Sequence, residues 1–231
     1  MLINNKEDRK FASILADGKI HMEVPEGTPN AVVRKYKTSD GKEGTKIECV
    51  FTELIGKISK IGFYDGNYGS QIQVTIDDGK SKPIILSLST ASNYGEDMMK
   101  KLINVDQNKF VKIVPYSFTD EKGKMKKGIT IWQRNDETGK NEKVKNYFYD
   151  EVAKKNLHGY PEPKKLKKPL TKDQWKLYFG ECREFLVEKI TEHFKIEAQA
   201  QGVKNEDQDF EAMVNELEAV EDIKPEDVNL D

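Results

Sequence analysis

At 231 residues, with 36% hydrophobic and 34% charged residues, the chain has material for one compact domain of about 100 to 150 residues with polar extensions. Its two cysteines, Cys49 and Cys182, exclude a disulfide scaffold and a CxxC motif. No stretch reaches the roughly 18 apolar residues of a membrane span, and none near the N-terminus reads as a signal peptide. A soluble, cytoplasmic protein with free thiols is therefore expected.

The net charge of −2 conceals a split. Residues 203–231 hold eleven acids against two lysines, a net −9, which leaves +7 on residues 1–202. A basic body with an acidic tail suits a body that meets a polyanion and a tail that imitates one or recruits a partner. The alternative reading is a solvated acidic terminus that only aids solubility.

Residues 1–17 carry a weak apolar pattern and read as a loosely attached arm. From Gly18 the pattern turns to strand: KIHMEV, the turn PEGTPN, AVVRKYKT, the turn SDGKEG and TKIECVF. Asp40-Gly41 between two alternating runs signals a hairpin, an extra β element ahead of the main domain.

A long strand is predicted from Leu54 to Tyr64, ending at the turn DGNYG (65–69). In the following QIQVTI, Ile72, Val74 and Ile76 share one face. Asp77-Asp78-Gly79-Lys80 closes a turn, and PIILSLS (83–89) turns Ile84, Leu86 and Leu88 inward. Tyr94 to Ile103 reads as a short helix with Met98, Met99 and Leu102 at helical spacing. Strands follow at Phe110–Phe118, Ile129–Gln133 and Val144–Tyr149, separated by the loops TDEKGKMKKG and NDETGKNEK. Three strands, a helix and two strands is the order of an OB-fold-like five-stranded antiparallel barrel, so a mainly β chain is expected, spanning residues 18–150.

Residues 151–170 form a basic linker containing PEPKKLKKP. Thr171 then caps an amphipathic helix over 171–200, with Gln174 completing a capping box. Trp175, Tyr178, Phe179, Cys182, Phe185, Leu186, Ile190 and Phe194 make one apolar face expected to pack on the barrel. Gly180 suggests a close approach within it. Residues 201–231 are the acidic tail, expected to be largely disordered, with Phe210, Met213, Val214, Leu217 and Val220 forming an apolar stripe that orders only against a surface.

Catalytic and metal chemistry finds no support in the motifs. His21, His158 and His193 are scattered, no HExxH, GxSxG or phosphate-binding Gly-rich loop occurs, and Asp77-Asp78 suits turn geometry. A non-enzyme without cofactor or metal is expected.

Binding chemistry is better supported. Single strands are held by cations along the phosphates and by rings on which bases stack, at about 1–3 kcal/mol per base. Lys57 and Lys60 precede Tyr64 and Tyr68; Lys112 lies beside Tyr116; Lys124, Lys126 and Lys127 lead into Trp132 and Arg134; and Lys143 and Lys145 adjoin Tyr147. In an OB domain the strand crosses the second and third β-strands, flanked here by DGNYG and TDEKGKMKKG. Phe63 and Phe110 read as core. Trp132 either stacks on bases or packs under the C-terminal helix. Along Phe110–Phe118 two registers are open, one inward through Val111 and Ile113, the other through Phe110, Val114 and Tyr116.

The block from VFTELIGKISKIGFYDGNYGSQIQVTIDDGK through PYSFTDEKGKMKKGITIWQ, together with the acidic tail, resembles bacteriophage single-stranded DNA-binding proteins. The resemblance implies an OB domain that coats single strands during replication or recombination without sequence specificity, with Lys57, Lys60, Tyr64, Tyr68, Lys112, Tyr116, Lys124, Lys126, Lys127, Trp132, Arg134 and Tyr147 as contacts. It implies DNA, or RNA, as ligand for a monomer or dimer, and replication or recombination proteins as partners of the tail. Bacterial-type tails end in an aromatic residue after an acidic run. This one ends VNLD, which shifts any docking to the Phe210–Val220 stripe. The alternative reading is a non-catalytic interaction module of a replication or virion complex, and a nuclease or nucleotide-modifying enzyme comes third.

Overall fold

The computed structural model describes residues 10–37, 41–66, 69–164 and 169–196. The chain is mainly β, with twelve strands and two helices among these residues. In order they are β1 (Lys10–Ile14), β2 (Ile20–Glu23), β3 (Val32–Lys37), β4 (Glu43–Phe51), β5 (Leu54–Gly66), β6 (Gly69–Asp77), β7 (Ile84–Ser89), α1 (Asn93–Leu102), β8 (Phe110–Thr119), β9 (Met125–Arg134), β10 (Asn141–Lys143), β11 (Tyr149–Asp150), β12 (Lys155–Asn156) and α2 (Lys172–Phe194). Ten strands form one mixed sheet in the order β10-β9-β8-β5-β6-β7-β1-β2-β4-β3. The strands β11 and β12 make a small hairpin that straddles the expected start of the linker, with β12 inside it.

The expected order β5, β6, β7, α1, β8, β9 is present, but the five strands do not close into a barrel. Closure would join β7 to β9, and that pair is absent from the sheet. Two observations give the reason. The free edge of β7 is taken in parallel by β1, with Phe11 opposite Ile85 and Ala12 opposite Leu86. The facing edge of β9 is occupied by α1: the Ile129 N–H donates to Asp97 Oδ2 at 2.6 Å, and the Ile129 carbonyl accepts from Lys101 Nζ. Side chains thus satisfy the backbone groups that a neighbouring strand would have paired.

β1 also corrects the expectation of a loose N-terminal arm. Ala12 and Ile14 are buried, and β1 joins β7 on one side to β2 on the other. The extra hairpin is present, with β3 and β4 antiparallel from Val32 opposite Glu48 to Lys37 opposite Glu43. Its turn falls largely outside the described residues.

Core packing follows the sequence pattern closely in β6 and α1. Ile72, Val74, Ile76, Met98, Met99 and Leu102 are all buried, and Leu86 and Leu88 of β7 join them. Ser92 caps α1 by accepting from the Gly95 N–H at 2.8 Å. A Cβ on Gly95 would lie 2.0 Å from the Ser89 carbonyl oxygen, so only glycine lets α1 sit this close to the end of β7.

α2 begins with the expected capping box, Thr171 and Gln174 bonding each other's backbone N–H. It docks through its second half, where Cys182, Leu186 and Ile190 are buried and Phe185 meets Phe148 and Tyr160 edge-on. The first half does not share this burial: Leu177 is 69% and Phe179 40% exposed. Gly180 has no atom within 4 Å of a would-be Cβ, so the close approach expected there does not occur.

The last predicted strand is displaced. Pairing with β9 is made by Asn141–Lys143, the Val144 N–H adds a last bond to the Ile131 carbonyl at 2.8 Å, and Lys145–Phe148 leaves the sheet. Asn146 Oδ1 accepts from the Phe148 N–H at 2.8 Å, turning the chain, and the Tyr147 N–H donates to the Lys100 carbonyl at 2.8 Å. This segment therefore packs on α1, with Phe148 in the core.

No helix among the described residues is long and apolar enough to cross a membrane.

Candidate nucleic-acid interface

The register of β8 resolves the open face assignment. Val111, Ile113 and Pro115 turn inward, opposite Gln133, Ile131 and Ile129 of β9, so Phe110, Lys112, Val114, Tyr116 and Phe118 take the outer face. Directly opposed residues share a face. One outer row therefore reads Ile55, Lys112, Trp132, Lys143 across β5, β8, β9 and β10. The adjacent row places Lys57 opposite Phe110.

Cations and rings interleave on this face. Lys57 Nζ lies 5.6 Å from the centroid of the Phe110 ring, and Lys143 Nζ lies 5.4 Å from that of Trp132. Farther along β8 the Tyr116 and Phe118 rings are 5.7 Å apart, with Lys126 opposite Phe118. Tyr116 lies across Gly128, where a Cβ would meet its hydroxyl at 2.4 Å. Burial and the nearby Asp97 carboxylate raise the Tyr116 pKa, so its phenol stays protonated. Lys112 pairs with Glu53 at 3.6 Å and Lys126 with Asp120 at 3.9 Å, both weak, solvent-accessible pairs that a phosphate can replace.

Of the sequence-predicted residues, Lys57, Lys112, Tyr116, Lys126, Trp132 and Arg134 come together on this face. Phe110 joins them against expectation: it is 50% exposed beneath Lys57 rather than in the core. Phe118, 53% exposed, and Lys143 also belong here. The signal that could have found Phe110 is the odd-numbered run Val111, Ile113, Pro115, since an inward odd face forces the even one outward.

Other predicted residues lie elsewhere. Tyr64 is only 7% exposed: a bulge between Ile58 and Lys60 turns Ile61 and Phe63 to the core and sets Tyr64 opposite Gln71. On that side of β6 and β7 Gln71, Ile85 and Ser87 are buried and Gln73, Thr75 and Ser89 half-buried, so the expected path across the second and third strands is flatter and less exposed than the face of β8 and β9. Lys60 is exposed beyond the bulge, where β5 pairs with β6 alone. Lys126 and Lys127 lie on β9 rather than in a loop, so strand alternation sends Lys127 to the opposite face. Lys124 remains in the loop, its N–H held by Asp120 at 2.9 Å. Tyr147 stacks on His158 at 4.0 Å and meets Phe148 edge-on, a packing role away from the outer face. Tyr68 lies outside the described residues, as does the acidic tail.

Asp77 and Asp78 are turn residues: Asp77 Oδ1 accepts from the Gly79 N–H, and Asp78 Oδ1 from the Lys80 and Ser81 N–H groups. Among the described residues no group of three or more His, Cys, Asp or Glu is arranged to hold a metal ion. The closest approach to a catalytic constellation is on β2, β3 and β4. There His21 Nδ1 is 2.9 Å from Glu48, His21 Nε2 is 3.1 Å from Asp17, and Arg34 donates to both Glu48 oxygens at 2.7 and 2.8 Å. Burial draws the His21 pKa down, but the bonds and charges of Glu48 and Asp17 outweigh it and hold the imidazole above its usual value. Burial would raise Glu48, yet Arg34 and His21 bring it to about 2. The cluster is a mutually neutralised ion network, with no nucleophile in it.

Comparison with protein-family models, curated proteins and solved structures finds no match for this chain.

Proposed function

We propose that the chain binds single-stranded nucleic acid on the outer face of β5, β8, β9 and β10, without sequence specificity and without catalysis. One observation carries the reading: a solvent-facing row in which Lys112, Trp132 and Lys143 lie side by side, flanked by Lys57 over Phe110. Bases stack on Trp132, Phe110 and the Tyr116–Phe118 pair, while Lys57, Lys112, Lys126, Arg134 and Lys143 neutralise phosphates. Stacking is indifferent to base identity, so the face suits coating rather than reading.

The succession three strands, α1, two strands supports an OB-like ancestry, with α1 in place of the closing strand pair. Together with the resemblance to phage single-stranded DNA-binding proteins, it favours DNA exposed during replication or recombination in a cytoplasm. The acidic residues 203–231 then regulate binding or recruit a replication partner. The competing reading, an interaction module, draws on Leu177 and Phe179, left exposed on α2.

The test is a titration of the full-length protein against a labelled single strand of about 30 bases and its duplex at several salt concentrations. Preferential single-strand binding with a salt-dependent affinity is expected. Absence of binding to either form at low salt removes the proposal in favour of the interaction module.

A further inference from the structure

The stripe that docks α2 runs on past the body. Cys182 and Leu186 are buried, and two turns before them on the same side come Trp175, half-buried, and Phe179, still 40% exposed. Trp175 and Phe179 stack at 5.6 Å, and Tyr178 stands edge-on to Trp175 at the same separation. The three rings pack against one another, so they offer an apolar ridge for side chains rather than open faces for bases. Lys172, Lys176 and Arg183 share the side of Phe179, at helical spacing before and after it. Among the described residues none of the three forms an ion pair. The acids of this stretch, Asp173, Glu181 and Glu184, fall on other faces of the helix. Glu162, from the segment before α2, acts on Tyr178, across Trp175 from the cations.

The far end of α2 turns the chain back. Lys195 is left-handed at φ 50°, the Ile196 N–H donates to the Thr191 carbonyl at 3.0 Å, and Ile196 packs against the core. The sequence that follows therefore sets out beside α2 rather than ahead of it. That sequence is the acidic one, with Phe210, Met213, Val214, Leu217 and Val220 at helical spacing among its carboxylates. From Lys195 back to Phe179 is about 24 Å of helix. The fourteen residues from Ile196 to Phe210 can reach about 46 Å.

We infer that residues 206–222 dock on the basic, aromatic first half of α2 in their own chain. Apolar side chains of the tail cover Trp175 and Phe179, and its carboxylates pair with Lys172, Lys176 and Arg183. A second copy packed isologously on this stripe would set the cations against themselves. Tethering also gives the chain's own tail an effective concentration that a free partner lacks. The inference is independent of the nucleic-acid reading of the sheet, and it seats the tail on α2 rather than on the outer face of β8 and β9.

The test uses the full-length protein with Trp132→Phe, which leaves Trp175 as the remaining tryptophan, and no nucleic acid. The emission of Trp175 and its quenching by acrylamide report how far the ridge is covered. Phe210→Ser with Leu217→Ser in the same chain should shift the emission to the red and raise the quenching. Lys172→Glu with Lys176→Glu should do the same, and because negative charge near a helix N-terminus is favourable, α2 itself keeps its fold. Protection in the parent should not change with protein concentration. Emission and quenching unchanged by the tail substitutions overturn the inference, whatever the lysine substitutions do. Protection that fades on dilution assigns the covering segment to a second copy and overturns docking within one chain.

Discussion

The backbone N–H of Ile129 points at the Asp97 carboxylate across 2.6 Å, although the two residues lie in different elements. With Lys101 bonded to both Asp97 and the Ile129 carbonyl, one turn of α1 seals the β9 edge. Asp97→Ala strips the carboxylate from a half-buried donor and leaves Lys101 with only the Ile129 carbonyl. A loss of about 1–3 kcal/mol in unfolding free energy is expected, measured by urea denaturation. A loss within about 0.5 kcal/mol, the range of ordinary surface substitutions, would mean that water replaces the carboxylate at this edge.

Trp132 and Tyr147 were equal candidates for stacking from their neighbours in sequence, and the fold separates them. Trp132→Ala should weaken single-strand affinity by about 1–3 kcal/mol with little change in stability. Tyr147→Ala should do the reverse, leaving affinity intact and lowering stability by about 0.5–3 kcal/mol. Anisotropy titration and thermal melting on the same two preparations check the pair of outcomes.

Gly128 leaves room for the Tyr116 ring to lie across β9, and this cross-strand contact is lost if a methyl group is placed there. Gly128→Ala should cost about 1–3 kcal/mol as ring and methyl group compete for one space. Tyr116→Ser in the same chain should recover part of that loss, a non-additivity readable in a double-mutant cycle.

The Asp17–His21–Glu48–Arg34 network fixes a pH profile. His21 has a raised pKa, so its contribution is fully present below its ordinary 6.5 and disappears as pH rises through the raised value. Glu48 has a lowered pKa, so its contribution is full above its ordinary 4.5 and disappears as pH falls toward about 2. Both contributions are present together between 4.5 and 6.5. His21→Gln should flatten the alkaline side of the urea-midpoint profile, and Glu48→Gln the acid side.

These outcomes depend in different degrees on what the sequence discloses. The alternation of Ile72, Val74 and Ile76, the spacing of Met98, Met99 and Leu102, and the Thr171–Gln174 capping box are local patterns, and each yields its element directly. β1 has only KFASI to announce it, and its partner is the distant β7, so no local pattern marks it as a central strand. The strand expected over 144–149 failed because Val144, Tyr147 and Phe148 are apolar for the sake of α1 and the core, not of a ladder. Within the site, cations interleaved with aromatics were legible as chemistry. Their facing was not, since Phe110, Val114 and Tyr116 are as apolar as Val111 and Ile113, and only the inward packing against Ile129 and Ile131 separates them.

Because β1 lies between β7 and β2, it is, among the described residues, the strand whose ladders join the β2-β4-β3 flap to the rest of the sheet. It is also synthesised long before β7, the strand whose edge it fills. On the ribosome the flap can assemble early around β2 and β4, but β1 keeps one row of backbone donors and acceptors unpaired until Ile84–Ser89 emerges. An open edge of that kind is where a chain can pair with a wrong strand, and docking on β7 closes it, with Ala12 buried opposite Leu86.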